Sequence, residues 1–142
     1  MAVGATCTSA TLAGLAVLHV LWGRGSSFPF RTRDELADAV VGSPSVPPPG
    51  ACFAVAAALA SGAALVADVA PVPRGLRRTA LLVMAGILGT RSALGFTGRT
   101  TVVSSGATSA TFTRLDRRFF APLCLALAVG TLVARCGSRS WR

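Results

Sequence analysis

Four side chains with polar groups lie within or next to long apolar segments, and their chemistry suits ligand binding. His19 and Trp22 are one helical turn apart at the end of the first segment, Arg91 lies inside the third, and Asp116 precedes the fourth. A guanidinium binds anions, a carboxylate pairs with it, an imidazole accepts or transfers a proton, and an indole offers an apolar face and one donor. We interpret these four residues as the candidate binding site.

Arg91 is the most informative of the four, because the apolar run 79–98 that contains it has no other charge. On insertion scales an arginine at the centre of a membrane helix costs about 2.5–3.5 kcal/mol, and each Leu, Ile, Val or Phe contributes about 0.3–0.6 kcal/mol in the other direction. The apolar residues of the run roughly cancel the cost of Arg91 and no more. This helix therefore needs neighbours.

The expected partner of Arg91 is Asp116, with His19 hydrogen-bonded nearby, because alternate membrane crossing brings these residues to one face. Asp34 and Glu35, in the first long loop, are alternative partners. Two interpretations stay open. In one, the long side chain of Arg91 reaches the interface and only fastens its helix to the loops. In the other, Arg91 and His19 hold an anionic or polar ligand.

The composition indicates a membrane protein. Hydrophobic residues make up 52% of the 142 positions and charged residues 13%, whereas soluble domains carry roughly 25% charged residues. Mean hydropathy is +0.63. The net charge of +9 comes from arginines at the ends of apolar runs rather than from basic residues among polar and aromatic ones. This arrangement argues against a nucleic-acid partner.

Four apolar segments approach the roughly 17–25 residues that cross a bilayer. They predict helices over about 2–22, 51–67, 79–98 and 119–134. A soluble helical bundle would need a polar face on each helix, and none of the four has one. The first segment lacks the preceding basic residues of a signal peptide. The predicted fold is therefore all-α, an integral membrane four-helix bundle forming a single transmembrane domain over 1–142.

The two long loops carry local signals. Thr32 and Glu35 fit a capping box, and the apolar stripe after them ends at Gly42, so a short interfacial helix is expected in the first long loop. The second, 99–118, has no readable secondary structure. Three apolar residues of this second loop are candidate membrane anchors: Val102, Val103 and Phe112. The two tryptophans, Trp22 and Trp141, suit an aromatic belt at the membrane interface.

Alternate crossing places both termini on one side of the membrane. The loop 68–78 and the C-terminal tail, on that side, concentrate six arginines in two short segments. Arginine-rich short loops tend to be cytoplasmic. We therefore expect cytoplasmic termini and a non-cytoplasmic polar cluster.

The cysteines do not indicate a metal or redox site. Cys7, Cys52, Cys124 and Cys136 have no C-x-x-C spacing, and a single histidine gives little material for a metal centre. Topology brings Cys52 and Cys124 to one face. A disulfide between them is possible in an oxidising compartment, although apolar packing is favoured. We expect no metal, no cofactor and no known enzyme signature.

Several strings resemble a known family. They are LHVLWG at 18–23, GSP at 42–44, RSALG at 91–95 and LDRRFFAPLCL at 115–125. Together they span nearly the whole chain and resemble domain-of-unknown-function family 3995, a group of small bacterial membrane proteins. The resemblance implies a multi-pass membrane protein and supplies no activity.

The functional expectation is a multi-pass protein of the cell membrane that acts as a binding or structural module. Its polar cluster would bind a lipid headgroup, a small anion or a partner helix without catalysis. The alternative is a membrane-embedded enzyme or small transporter that uses His19 and Arg91. Membrane lipid is the expected partner, together with a second copy of the chain or another membrane protein.

Overall fold

The computed structural model describes residues 2–99 and 109–137, and all regular structure in these ranges is helical. The predicted anchors Val102, Val103 and Trp141 lie outside them. The helices are α1 (Ala2–Gly23), α2 (Arg33–Leu36), α3 (Pro49–Val66), α4 (Arg74–Thr97), α5 (Ala110–Leu115) and α6 (Ala121–Gly137); π-helical turns follow α2 (Ala37–Val41) and α5 (Asp116–Phe120). The predicted all-α four-helix bundle is confirmed.

The long helices pack as two antiparallel hairpins. α1 packs mainly against α3, and α4 mainly against α6. The Ser9 hydroxyl, near the start of α1, donates to the Ala63 carbonyl near the end of α3 at 2.9 Å. The hairpins meet where Gly130 of α6 lies against Thr8 of α1. Their shared core is a small apolar cluster: Leu12, Ala63, Val66, Leu81, Leu127 and Ala134.

The outer surface of the bundle is apolar. Four helical segments are long and apolar enough to cross a membrane: Val3–Gly23, Pro49–Val66, Arg74–Thr97 and Ala110–Cys136. In the 18-residue apolar stretch of each segment, only 17–28% of the residues are buried within the protein. Large side chains such as Val17, Ile87 and Val129 are more than half exposed. Apolar surface on this scale is typical of a protein that another apolar phase covers.

The two short helices with their π turns (33–41 and 110–120), which we call the cap, lie together at the end of the bundle where α1 and α4 finish. Ser109 joins them: its backbone N–H donates to the Gly42 carbonyl at 3.2 Å and its hydroxyl to the Asp38 carbonyl at 3.1 Å. Gly42 adopts φ +72°, and an added Cβ would lie 2.9 Å from Cγ of Phe112. A glycine here lets Phe112 pack directly on the turn.

The expected capping box forms in part. Thr32 accepts from the Glu35 backbone N–H at 3.2 Å, as predicted. The Glu35 carboxylate accepts from the backbone N–H of Arg31 at 3.0 Å instead of returning to Thr32. The Glu35 carboxylate thus fixes the backbone at Arg31, just before α2 and the cap begin.

Two helix starts differ most from the sequence prediction. α4 begins at Arg74 rather than near residue 79, because Pro73 takes an extended conformation that starts the helix and arginines are good helix formers. The fourth membrane segment continues from α5 through the π turn, so helical structure starts at Ala110. Its arginines therefore lie on a helix.

Candidate functional site

Arg91 and Asp116 form a bidentate ion pair between α4 and the second π turn. The Arg91 Nη2 donates to Asp116 Oδ1 at 2.7 Å, and Nη1 donates to Oδ2 at 3.2 Å. The Asp116 side chain is 2% exposed and that of Arg91 is 30% exposed. Two-pronged arginine–carboxylate pairs are stronger and more directional than single contacts. The pair neutralises the arginine that the apolar run could not accommodate alone.

Neighbouring residues on α4 hold this pair in place. The Ser92 hydroxyl, which is buried, donates to the Ala121 carbonyl at 2.8 Å. Gly95, one turn beyond Arg91, faces Asp116 and Ala121 without a side chain to separate the helices. Ser92 and Gly95 therefore bring α4 close to the start of α6, which sets the distance that the ion pair spans.

Asp116 owes its position to the π turn. It is the first residue of the turn Asp116–Phe120, between α5 and α6. A π turn adds a residue to a helical turn and so changes which side chains face a neighbouring element. The Phe120 ring lies 6.5 Å from that of Phe112 in the cap. Within the cap, the turn thus connects the buried Asp116 carboxylate to the packing around Phe112.

His19 and Trp22 form the second pair, at the end of α1. Their ring centroids are 4.8 Å apart, with the rings tilted by 56°. The Trp22 Nε1–H donates to the Phe28 carbonyl at 2.7 Å. His19 Nδ1 lies 2.8 Å from the Leu15 carbonyl oxygen. A carbonyl can only accept, so this nitrogen carries the hydrogen.

A cavity of about 270 Å³ opens beside this second pair. It lies between α1, the first half of the cap and the start of α3. His19, Trp22, Val40, Val41 and Val55 are among its lining residues, and no described lining residue is an arginine or a carboxylate. A concave apolar site with one or two polar groups is the usual form of a small-molecule site.

The four candidate residues therefore form two pairs rather than one cluster. Within the described residues, no hydrogen bond or ion pair joins His19 to Arg91, and the predicted bond of His19 near Arg91 is replaced by its bond to Leu15. The physical reason is helix pairing, since α1 packs mainly on α3 while α4 packs mainly on α6. Asp34 and Glu35 are not the partners of Arg91.

Arg77 is a second buried arginine, which sequence reasoning counted only as a loop charge. Its Nε donates to the Leu65 carbonyl at 2.8 Å and lies 3.0 Å from Asp68 Oδ1. Arg77 is only 5% exposed, whereas Asp68, in a left-handed conformation with φ +60°, is open to solvent. A cation at the last carbonyls stabilises a helix end. Pro73 in the sequence could have indicated that the helix begins at Arg74 and therefore includes Arg77.

Cysteine and acidic side chains form no further site in the described ranges. All four cysteines are free, Cys52 being buried and Cys124 half-buried. Within residues 2–99 and 109–137, no three His, Cys, Asp or Glu side chains gather as a metal site would require.

A family model described as "Protein of unknown function (DUF3995)" matches residues 12–131. The chain belongs to this family. The matched region contains all four candidate residues, both pairs and the cap. No curated protein and no solved structure matches the chain. The description of the DUF3995 family carries no activity, so the geometry of the two pairs is the basis for a functional proposal.

Proposed function

We propose that this protein is a multi-pass integral protein of the cell membrane that binds a ligand at its capped end without catalysing a reaction. The apolar outer surface of the four long helices supports the membrane setting. Lipid is then the partner that covers this surface, because exposed side chains such as Val17 and Ile87 need an apolar neighbour.

The open cavity beside His19 and Trp22 carries the binding proposal. It joins a membrane helix, α1, to the first half of the cap, so a ligand there would contact both. By contrast, each Nη atom of Arg91 already donates to Asp116. The Asp116 carboxylate already neutralises the guanidinium, so an anion would gain less there than beside an unpaired arginine.

Arg91 and Asp116 accordingly support the site in this proposal rather than contact the ligand. Their ion pair fixes α4 against the second half of the cap, and Ser109 connects that half to the first through Gly42 and Asp38. The cavity wall formed by Val40 and Val41 belongs to the first half. The pair thus holds the cap that closes one side of the cavity.

The enzyme or transporter alternative has no specific observation in its favour. It needs His19 and Arg91 to act on one substrate, and these residues lie on different hairpins. It stays a hypothesis, and a pH-dependent activity that His19→Ala abolishes would support it.

Native mass spectrometry after extraction in mild detergent tests the binding proposal. Ala51 lines the cavity and Ala57 is an exposed residue of the same helix that does not line it. We expect a bound mass on the wild type and on Ala57→Phe, and its loss from Ala51→Phe, which fills the cavity. An adduct retained equally by both variants, or no adduct on any of them, would contradict the proposal. The same spectra report the number of copies in the assembly.

A further inference from the structure

We propose that the His19 cavity takes a neutral ring that carries a hydroxyl group, as in a phenol or the head of a phenolic lipid. The inference rests on the proposed binding function and names the ligand class of that site. It follows from the hydrogen-bonding state of His19, from the lining of the cavity and from its size.

The imidazole of His19 offers a hydrogen-bond acceptor. The Leu15 carbonyl, 2.8 Å from Nδ1, requires a hydrogen on that nitrogen, so the other ring nitrogen of a neutral imidazole has a free lone pair. Within the described residues, Nε2 has no protein partner. A group that binds there must donate, and a hydroxyl does.

The lining of the cavity favours a neutral ligand. Among the lining residues within 2–99 and 109–137, His19 and Cys52 are the titratable ones, and none is an arginine or a carboxylate. Burying an ion without a partner costs far more than burying a neutral group. Trp22 provides an aromatic wall against which another ring can stack or pack edge to face. Val40, Val41 and Val55 complete an apolar surround.

The size of the cavity matches one substituted ring. An apolar cavity of about 150 Å³ holds a benzene molecule, and this cavity measures about 270 Å³. A ring with a hydroxyl and a short substituent fits that volume. A whole lipid does not, so only the head of a phenolic lipid would enter.

Tryptophan fluorescence provides the test. The chain has two tryptophans, and a Trp141→Phe background leaves Trp22 as the only one. We would titrate the detergent-solubilised protein with 4-methylphenol, 4-methylanisole and toluene, correcting each for partition into detergent. 4-Methylphenol is expected to bind about fivefold more tightly than the other two, the effect of one net hydrogen bond. Equal binding of 4-methylphenol and 4-methylanisole to this protein would overturn the proposal without any further variant.

Two substitutions locate the effect. His19→Phe keeps a ring and removes the acceptor, so the preference for 4-methylphenol is expected to fall to about one; a preserved preference would overturn the assignment of His19. Ala51→Phe is expected to abolish binding of all three probes, and Ala57→Phe to leave it unchanged. Loss of probe binding in Ala57→Phe as well would overturn the placement of the site.

Native mass spectra separate this inference from the proposed function. A bound mass that Ala51→Phe removes, together with no binding of 4-methylphenol, overturns the phenol class and leaves the binding function standing. If neither a bound mass nor binding of 4-methylphenol is found, the binding function and the phenol class are both overturned. The mass of the adduct also distinguishes the sources, because a phenolic lipid from the membrane is heavier than a free phenol.

Discussion

Gly95 of α4 faces Ala121 of α6 so closely that a Cβ atom built on the glycine would lie 2.7 Å from the Ala121 Cβ. The same added atom would lie 2.9 Å from Asp116 Oδ2 and 3.1 Å from Arg91 Nη1. The close approach of α4 to α6 and the Arg91–Asp116 ion pair therefore both depend on the space beside Gly95. Gly95 is what allows both to form.

Gly95→Ala is predicted to destabilise the bundle by about 1–3 kcal/mol, since overpacking forces neighbouring groups apart. Gly86, on the same helix, is the matched control because an added Cβ there meets nothing within 4 Å. Gly86→Ala should be neutral or stabilise by up to about 1 kcal/mol through helix propensity. Thermal unfolding in one detergent measures both. Equal losses at the two glycines would show that the close contact is not specific to Gly95.

The two partners of the buried ion pair are predicted to differ in their mutational cost. Arg91→Leu leaves the Asp116 carboxylate buried without a partner and should cost about 3–5 kcal/mol. Asp116→Asn keeps one acceptor for an arginine that is 30% exposed, so about 1–3 kcal/mol is expected. Unfolding measurements on both variants give the comparison.

The double variant Arg91→Leu with Asp116→Leu removes both charges and should lose much less stability than the sum of the single variants. Additive losses would mean that the two residues act independently. If Arg91→Leu instead raises stability while binding in the His19 cavity is unchanged, the ion pair does not hold the cap.

Arg77→Leu is predicted to cost about 1.5–3 kcal/mol, the range for a hydrogen bond to a charged group. The loss comes from its bond to the Leu65 carbonyl at the end of α3; the exposed Asp68 contributes little because water screens it. Arg78→Leu, at the exposed neighbouring position, should stay within about 0.5 kcal/mol of the wild type. Chemical unfolding curves of the two variants should separate clearly, and curves that coincide would contradict the capping role of Arg77.

Ser109→Ala is predicted to loosen the cap and to cost about 1–2 kcal/mol, the usual effect of losing an N-cap. Its hydroxyl accepts from the Phe112 backbone N–H at 3.0 Å as well as donating to the Asp38 carbonyl. Hydrogen exchange should accelerate in 33–42 and 110–115 and stay unchanged in the middle of α4. Ser45→Ala, at an exposed site, is the control that should leave exchange in the cap as it is.

The sequence predicted the bundle well because length and hydropathy decide which segments can cross a membrane. It also supported the pairing of Arg91 with Asp116, since the direction of α4 and the position of Asp116 put both at one face. It could not exclude Glu35, whose carboxylate is taken by the backbone N–H of Arg31. Whether Arg91 pairs with Asp116 or with Glu35 depends on the geometry of the loops, and the hydrophobic periodicity of the sequence gives no information about it.

The division of the site into two pairs was not predictable from one sequence. Hydropathy does not say which helices adjoin, and His19 and Arg91 belong to helices with different main partners. No sequence pattern distinguishes the π turn that directs Asp116 inward from a continuous α-helix. Arg77 escaped notice because the apolar run starts at residue 79 while the helix itself starts at Arg74.

The ion pair has a consequence for how the chain is made. Arg91 leaves the ribosome 25 residues ahead of Asp116, a delay of about 1–5 s at synthesis rates of about 5–20 residues per second. During that interval α4 carries an arginine whose carboxylate partner has not yet been made. The α4–α6 hairpin can therefore form its ion pair only after Asp116 has been made, so a chain truncated before Asp116 would leave Arg91 without that partner.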